Sequence, residues 1–444
     1  MTSEIICAKI KLTISKSAYF EIVNQQFYQT FSKGDYMSKK TLYKLFYIDK
    51  DKYKEEFEKR FNSSDTVHLN FNIGDNPAFF CQSPEIYKLI VSIERIDKEI
   101  WGLCSTLPEK AIEQFRKRCL IDEIVITNNI EGVHSTRREI NSILQDLSSK
   151  DKKQRFFGLV NKYNMLIKNE DISINSCEDI RKIYDDIFLD EIKASDKKNV
   201  PDGRIFRKET VDVYSETQKV IHNGVYPEEK IINLMQDAID MLNNENIDML
   251  FRIAIFHYLF GYIHPFYDGN GRTSRFISSY LLSKSLNRII GFRISYTFKK
   301  NLNQYYDAFK ICNHRNNKGD LTPFIEMFLS IIDASQKNLC EALHRRCHDF
   351  EKCRNQVALY LDHYGKYNKD SFKLYEVLVE ASLFSEFGIS TKELQEYMNL
   401  SYNTLKNKLI AVPENLLNVK KENRTVYYSI NLDEFDKAIE NWEE

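Results

Sequence analysis

Hydrophobic residues recur at helical spacing along most of the chain. From residue 83 onward, apolar residues follow one another at steps of three and four, beginning with Ile86, Leu89 and Ile93, and this period continues to about residue 350. Residues 246–262 and 273–286 are apolar on most sides, which predicts two buried helices at the centre of the molecule. The hydrophobic pattern therefore predicts a mainly α fold.

Two short segments alternate between apolar and polar residues instead. Residues 66–73 predict a strand. Residues 204–214 follow the breakers Pro201, Asp202 and Gly203, and their second half alternates as a strand does. The second segment therefore predicts a short β-hairpin inside the helical domain.

The order of elements changes from about residue 370. Ser390 is predicted to cap a helix that ends at residue 398, residues 403–410 predict a second helix, and residues 417–428 predict a hairpin. Helix, turn, helix and hairpin is the order of a winged helix, an α+β domain. Residues 388–431 carry six basic and four acidic side chains, a net charge of only +2. DNA binding needs a clear basic face, so protein docking or dimerisation is favoured and DNA binding stays open. The basic residues considered for the reading helix and the wing are Lys406, Lys408, Lys420, Lys421 and Arg424.

Composition excludes several classes of protein. The chain has 444 residues with only 14 glycines and 8 prolines, which favours long helices over a β-sandwich. The net charge of −1 excludes a global basic field. Because no apolar run of membrane length and no signal-peptide pattern occur, we expect no membrane contact and a cytoplasmic location. Nine cysteines without a Cys-x-x-Cys pair indicate free thiols.

A polar stretch separates the two buried helices at residues 264–275. It contains, in order, His264, Asp268, Gly269, Asn270, Gly271, Arg272 and Arg275. The glycines let backbone amides approach an anion at the start of a helix, and the two arginines, three residues apart, can reach the same anion. The aspartate suits Mg²⁺ held together with phosphates, and the histidine has the pKa of a general base. This set predicts attack of a hydroxyl on a phosphoanhydride.

The twelve residues HPFYDGNGRTSR at 264–275 resemble the motif of the Fic (AMPylator) family, H-P-F-x-D/E-G-N-G-R-x-x-R, at every fixed position. The resemblance implies a protein adenylyltransferase with a Fic-type helical core, which moves AMP from ATP to a Ser, Thr or Tyr hydroxyl of a protein, itself included. By position, His264 would deprotonate the hydroxyl and Asp268 would hold Mg²⁺. Asn270 and the amides of the glycines would bind phosphate oxygens. Arg272 would contact the phosphate chain, and Arg275 the γ-phosphate.

Upstream, Thr127 and Glu131 stand four residues apart, so they share one helical face. With Gly132 they resemble the inhibitory-helix motif of the family, S/T-x-x-x-E-G/N. A glutamate placed against Arg275 would form an ion pair and occupy the arginine that the γ-phosphate needs. The resemblance also implies that this glutamate can assist removal of AMP. An ordinary capped helix with an exposed glutamate is the alternative.

Two further segments resemble the family. Gly203, Phe206 and Arg207 resemble its target-docking flap, G-x-Y-R, although Phe replaces Tyr and two residues rather than one follow the glycine. An exposed flap edge can pair with an extended target segment by strand addition. Residues 303–309 also resemble the family, and either Tyr305 or Tyr306 lines an adenine pocket or both are core aromatics.

Other histidines and cysteines are interpreted as structural. His257 lies on an otherwise apolar helix and is expected to be a core residue. Cys340, His344 and Cys347 share one helical face and offer zinc ligands. One straight helix cannot surround a tetrahedral ion, so we expect a linker helix there.

We expect four regions in the chain. They are an N-terminal region of unassigned fold at 1–85, a Fic domain at 86–335 with the inhibitory helix near 123–132, linker helices at 336–380, and a winged-helix-like domain at 381–444. The leading hypothesis is an autoinhibited adenylyltransferase that uses ATP and Mg²⁺. Alternatives are AMP removal, another nucleotide donor, or a DNA-binding regulator that senses nucleotide. A homodimer stays open.

Overall fold

The computed structural model describes residues 41–147, 154–214, 220–422 and 425–440, and the chain divides into two compact units, Met1–Asn62 and Ser63–Glu444. The described part of the first unit consists of helices α1 (Leu42–Ile48) and α2 (Lys50–Phe61). Asp49 separates them and caps α2 by accepting hydrogen bonds from the amides of Asp51 and Lys52. Residues 1–40 of the predicted N-terminal region lie outside the described residues.

The second unit is mainly α-helical, as the hydrophobic period predicts. Its helices are α3 (Pro84–Thr106), α4 (Glu109–Ile130), α5 (Arg137–Gln145), α6 (Phe157–Lys168), α7 (Cys177–Tyr184), α8 (Asp190–Ser195), α9 (Glu228–Leu242), α10 (Met249–Ile263), α11 (Asn270–Ser285), α12 (Ile294–Lys300), α13 (Leu302–Asn313), α14 (Thr322–His363), α15 (Lys369–Phe384), α16 (Thr391–Met398), α17 (Tyr402–Ile410) and α18 (Leu432–Glu440). Short 3-10 turns at Lys197–Asn199, Arg288–Phe292, Arg315–Asn317 and Glu414–Leu416 and a π-helical turn at Asp185–Leu189 link some of them.

Helix α10 lies at the centre of the core. Eleven of its residues are buried, since apolar side chains cover nearly all of its sides, and it packs against α9, α11 and α14. Helix α11 is buried almost as completely. The two predicted central helices are therefore confirmed, and the polar loop between them is held from both ends.

The strands form three small sheets. Strands β1 (Thr66–Ile73) and β2 (Asn76–Cys81) pair antiparallel, which confirms the predicted strand at 66–73. Strands β3 (Asp212–Tyr214) and β4 (Val220–Asn223) form the predicted hairpin, although its first strand begins only at Asp212. Strands β5 (Ile389–Ser390), β6 (Leu417–Glu422) and β7 (Thr425–Ile430) form a sheet with the order β5-β7-β6.

The C-terminal helices and hairpin lie where the sequence predicts them. Ser390 caps α16 in a capping box with Glu393, and α17 is followed by the β6–β7 hairpin. That this arrangement is a winged helix stays a prediction, and Arg424 of the proposed wing lies outside the described residues. The predicted boundary at 335/336 falls inside α14, which is a single helix of 42 residues.

No helix among the described ranges is long and apolar enough to cross a membrane. The eight cysteines in the described part of the chain are free thiols, as expected from their spacing.

Glu380 on α15 is a buried carboxylate whose oxygens have no hydrogen-bond partner in the described part of the chain. Burial, together with repulsion from the neighbouring Glu376, raises its pKa to about 8. Between the pKa of this carboxyl in the unfolded chain and about pH 8, the folded protein therefore binds a proton that the unfolded chain does not. The stability that depends on this proton is present at low pH and is lost as the pH rises through about 8.

We expect Glu380→Gln to stabilise the protein by about 1–3 kcal/mol at pH 8 and by much less at pH 5, because glutamine folds without taking up a proton. Urea denaturation at the two pH values measures the difference. Glu376→Gln, one turn away, is the comparison variant: it removes only the repulsion on Glu380 and loses the contact with Arg354 at 2.8 Å, so its gain at pH 8 is expected to be smaller. A Glu380→Gln gain that did not change with pH would contradict the buried, protonated carboxyl.

Candidate functional site

The loop between α10 and α11 has an unusual backbone. His264 ends α10 in the left-handed conformation with φ of 53°, and Gly269 caps α11 with φ of 77°. A positive φ is rare for a residue with a β-carbon and is retained where the surrounding structure holds it. The strained position coincides with the residue that the sequence assigns as the base.

Hydrogen bonds of the Asn270 side-chain amide close the loop. Asn270 accepts a hydrogen bond from the backbone N–H of Phe266 at 3.0 Å and donates one to its carbonyl at 2.8 Å. The ring of Phe266 is buried, stacked on Tyr184 at 3.6 Å and in edge contact with Phe206 at 5.6 Å. In this structure Asn270 therefore shapes the loop, and its side chain is turned to the loop backbone rather than outward.

Arg207 supports the same loop through hydrogen bonds to its backbone. It is fully buried, and its guanidinium donates to the carbonyls of His264 and Val225, both at 2.8 Å, while its own amide donates to the carbonyl of Pro265. A planar group with five N–H donors can satisfy several carbonyls at once, which a lysine cannot. Arg207 therefore ties the segment before the hairpin to the loop.

The remaining predicted flap residues are also structural here. Glu228 accepts hydrogen bonds from the amides of Arg204, Ile205 and Phe206, and these bonds lower its pKa although its partial burial acts to raise it. A β-carbon at Gly203 would overlap the carboxylate of Glu228, so glycine is needed there. The prediction that Phe206 and Arg207 contact a target does not fit their complete burial, because their side chains pack under the loop.

Burial keeps His264 neutral at physiological pH. Loss of solvent, with a smaller contribution from the nearby Arg207, lowers the pKa of its imidazole to about 4. A neutral imidazole can accept a proton, so the side chain has the protonation state that a general base requires.

The structure brings Arg275 and the upstream helix together. Arg275 is 2 % exposed, and its guanidinium contacts Glu131 Oε1 at 2.7 Å and Thr127 Oγ1 at 2.8 Å. Glu131 stands at the C-cap of α4, where Gly132 takes a positive φ, and its side chain is 32 % exposed. A β-carbon at Gly271 would overlap Glu131 Oε1, so the carboxylate lies directly against the glycine. The predicted pair of Glu131 and Arg275 is therefore present in the geometry.

Arg272 has a partner that the sequence does not indicate. Its Nη1 lies 3.0 Å from Oε1 of Glu191 on α8, and its guanidinium lies over the ring of Phe188 at 4.4 Å. The π-helical turn at Asp185–Leu189 precedes α8, so Phe188 and Glu191 reach the arginine together. Glu191 belongs to no motif, and only the contact reveals it.

Asp268 is the exposed acidic residue of the loop. Its carboxylate accepts a hydrogen bond from the amide of Gly269, and the residue is exposed to solvent. Mg²⁺ commonly uses one or two protein carboxylates and completes its shell with waters and phosphates. A single exposed carboxylate beside a glycine-containing helix start fits such an ion.

The two tyrosines on α13 have different environments. Tyr305 is buried, and its hydroxyl hydrogen-bonds His257 Nε2 at 2.8 Å. Ser278 bonds the other nitrogen of His257 at 2.8 Å, and burial lowers the pKa of this imidazole to about 3. His257 is thus a satisfied core residue, as expected, and Tyr305 belongs to the same core. Tyr306 is partly exposed and is the better placed of the two for a pocket.

Comparisons with known proteins match the region of the chain that contains the loop. Residues 174–282 match the Fic/DOC family. Protein adenylyltransferase fic-1 of Caenorhabditis elegans is 30% identical over 166 residues, which is 36% of this chain and 30% of that protein. Protein adenylyltransferase Fic of Drosophila erecta is 36% identical over 109 residues, 24% of this chain and 20% of that protein. The chain thus spans less than a third of the length of these curated relatives.

Solved structures are also similar. A Fic family protein from Desulfovibrio desulfuricans G20 aligns with a TM-score of 0.47 at 19% identity, over 79% of this chain and 97% of that one. Fic-1 from C. elegans aligns with a TM-score of 0.42 at 24% identity, over 59% of this chain and 73% of that one.

The buried guanidinium of Arg207 leads to a prediction about the stability of the protein. We expect Arg207→Lys to lower the free energy of unfolding by about 2–4 kcal/mol, because the ammonium group cannot reach carbonyls on both sides and leaves them unpaired. Thermal or urea denaturation measures the loss, and hydrogen exchange in residues 263–267 is expected to rise. Arg204→Lys is the control, since that neighbouring side chain is exposed. Equal stability of the two variants would contradict the supporting role of Arg207.

Proposed function

We propose that this chain, which contains a Fic domain at residues 174–282, is an autoinhibited protein adenylyltransferase. The observation that carries the proposal is the ion pair of Glu131 with Arg275, the last arginine of the loop motif, at 2.7 Å. This pair joins a complete candidate transfer site to a segment far upstream in the chain. The names of the curated relatives support the same class of reaction.

The transfer step assigns a base and a nucleophile. The target is a protein with a Ser, Thr or Tyr hydroxyl, this chain included. The hydroxyl oxygen attacks the α-phosphorus of ATP, the bond from that phosphorus to the pyrophosphate oxygen breaks, and the hydroxyl proton passes to His264. The neutral state of His264 supports this role.

The phosphates are proposed to lie at the start of α11. The backbone amides of Gly269 and Gly271 and the helix dipole favour an anion there. Asp268 would hold Mg²⁺, which when bound lowers the charge on the phosphates and stabilises the leaving pyrophosphate. Arg272 faces this helix start while it is paired with Glu191, so Glu191 orients a guanidinium that the phosphate chain would share.

The inhibitory state follows from competition for one buried guanidinium. Arg275 contacts Glu131 and Thr127, and a γ-phosphate that needs the same donors has to displace the carboxylate. Glu131 also covers Gly271, where a phosphate oxygen would approach the backbone. Because Glu131 is a third exposed, it can turn toward solvent without unfolding the helix. Removal of AMP assisted by Glu131 remains the alternative direction at the same site.

The β3–β4 hairpin is the proposed docking edge for the target. Its backbone could pair with an extended segment, while Phe206 and Arg207 hold its base against the loop. The proposal does not extend to DNA binding or to a dimer. Lys408 is paired with Asp370 at 3.1 Å and Lys420 with Glu422 at 3.3 Å, so part of the charge counted for DNA is balanced within the chain.

Glu131→Gly is expected to release the activity. After incubation with ATP and Mg²⁺, intact-mass measurement is expected to show added AMP on the Glu131→Gly variant and little or none on the wild type, because Arg275 becomes available to the γ-phosphate. Addition of cell lysate with labelled ATP covers the case in which the chain does not modify itself.

The matched controls are Glu131→Gly/His264→Ala, which removes the base, and Glu139→Gly, which removes a partly exposed glutamate on the next helix. Both are expected to remain silent. Labelling that survived the loss of His264 would contradict its role as the base, and silence of Glu131→Gly in both assays would overturn the proposed function.

The lowered pKa of His264 predicts that the rate falls at a much lower pH than a free histidine would give. The base is lost when the imidazole is protonated, so the rate is expected to fall as the pH drops through about 4. For Glu131→Gly we therefore expect nearly constant kcat/KM for ATP between pH 8 and pH 6, since removing that carboxylate does not raise the histidine pKa. Circular dichroism at each pH separates unfolding from titration. A half-maximal rate near pH 6.5 would show an exposed, unperturbed histidine.

A further inference from the structure

A histidine, a cysteine and a glutamate converge on the face of the molecule formed by α3 and α14. Cys340 and His344 are four residues apart on α14, and Glu99 comes from α3. The candidate ligand atoms of the three side chains all lie within 4.8 Å of one another. His344 Nε2 and Glu99 Oε1 are 2.7 Å apart.

We propose that Glu99, Cys340 and His344 form a binding site for one Zn²⁺ ion. Zinc accepts sulfur, imidazole nitrogen and carboxylate oxygen at about 2.0–2.3 Å, and in a tetrahedral site these ligand atoms are separated by roughly 3–4 Å. The three ligand atoms lie within 4.8 Å of one another and the Nε2–Oε1 pair is 2.7 Å apart, so shifts of roughly 1–2 Å reach that geometry: the wider distances shorten and the close pair opens. Rotation of the two partly exposed side chains can supply these shifts.

The ligand set selects the class of ion. A thiolate and an imidazole disfavour Mg²⁺ and Ca²⁺, which prefer oxygen ligands, and favour zinc and related transition metals. With the carboxylate and the thiolate bound, the charge of the ion is balanced within the site. The thiol proton of Cys340 passes to solvent when the sulfur binds, so one proton is released for each ion.

Access and rigidity both fit a metal site. Cys340 is 6% exposed, whereas the side chains of Glu99 and His344 are 39% and 47% exposed. An ion can therefore enter from solvent, and a water molecule can take the fourth position. Helices α3 and α14 also share an extensive packing interface, so the backbone positions of the three ligands are already held before the metal binds.

The pattern of the helix by itself does not reveal this site. Cys340 and His344 offer two ligands from one helix, and the third ligand stands 245 residues from His344 in the sequence. The fold brings in a ligand from a second helix, which a single straight helix cannot provide. The site is separate from the loop at 264–275, so the proposal does not depend on the proposed transferase activity.

Zinc titration of the full chain in metal-free buffer, with a competing fluorescent chelator, tests the proposal. We expect one tight site in the wild type and at least tenfold weaker binding in Cys340→Ser and in His344→Gln. Titration with Co²⁺ is expected to give a thiolate-to-cobalt charge-transfer band in the wild type that Cys340→Ser lacks.

Cys353→Ser is the matched control, because it removes another buried thiol on the same helix outside the cluster. It is expected to bind zinc like the wild type. Glu99→Gln removes a ligand charge from a partly exposed side chain and therefore keeps the test valid if Cys340→Ser does not fold. Glu131→Gly/His264→Ala is expected to keep wild-type zinc affinity. Absence of a tight site in the wild type, or unchanged zinc affinity in Cys340→Ser and Glu99→Gln, would overturn the proposal.

Discussion

The buried guanidinium of Arg275 is the constraint on which the site depends. A fixed positive charge that is 2 % exposed needs an anion or several acceptors beside it. Glu123 lies nearby, but burial raises its pKa to about 7, and it accepts bonds from the amide and hydroxyl of Ser295. Glu131, 2.7 Å from the guanidinium, therefore supplies the charge that is paired with it directly. In the proposed mechanism a γ-phosphate would compete with this carboxylate for the same guanidinium, which is why a single side chain could control the activity.

The position of Glu131 is set by packing on both sides of it. Helix α4 ends at that residue, and its earlier turns contact the C-terminal region through Lys117, which bonds Glu393 at 2.7 Å. After the turn, Asn141 on α5 donates to the hydroxyl of Tyr427 on β7, and both partners are buried. The Glu131 carboxylate is thus positioned by the end of a packed helix rather than by a loop without contacts.

The loop at residues 264–269 is likewise held by internal contacts. Its own residues close it through Asn270, while Arg207 and the ring of Phe266 hold it from below. Three of the motif's polar side chains, Asn270, Arg272 and Arg275, are buried and have hydrogen-bond partners inside the protein, whereas Asp268 is exposed. A nucleotide bound as proposed would exchange these contacts for new ones, and its affinity would depend on how readily each internal partner is displaced.

The sequence by itself determined the helical class, the central helices and the chemistry of residues 264–275, because periodicity and a contiguous motif are local properties that survive without a fold. Through resemblance to a known motif it also predicted Thr127 and Glu131 as partners of Arg275, and the structure shows these contacts. It did not indicate that the side chains of Phe206 and Arg207 are buried, since exposure depends on what packs over a segment. Only the tertiary structure decided that Glu191 pairs with Arg272 and that Glu99 meets Cys340 and His344. These residues come from different helices, 81 residues apart for Glu191 and Arg272, and no period in the sequence relates them. Their proximity is a consequence of how the helices pack.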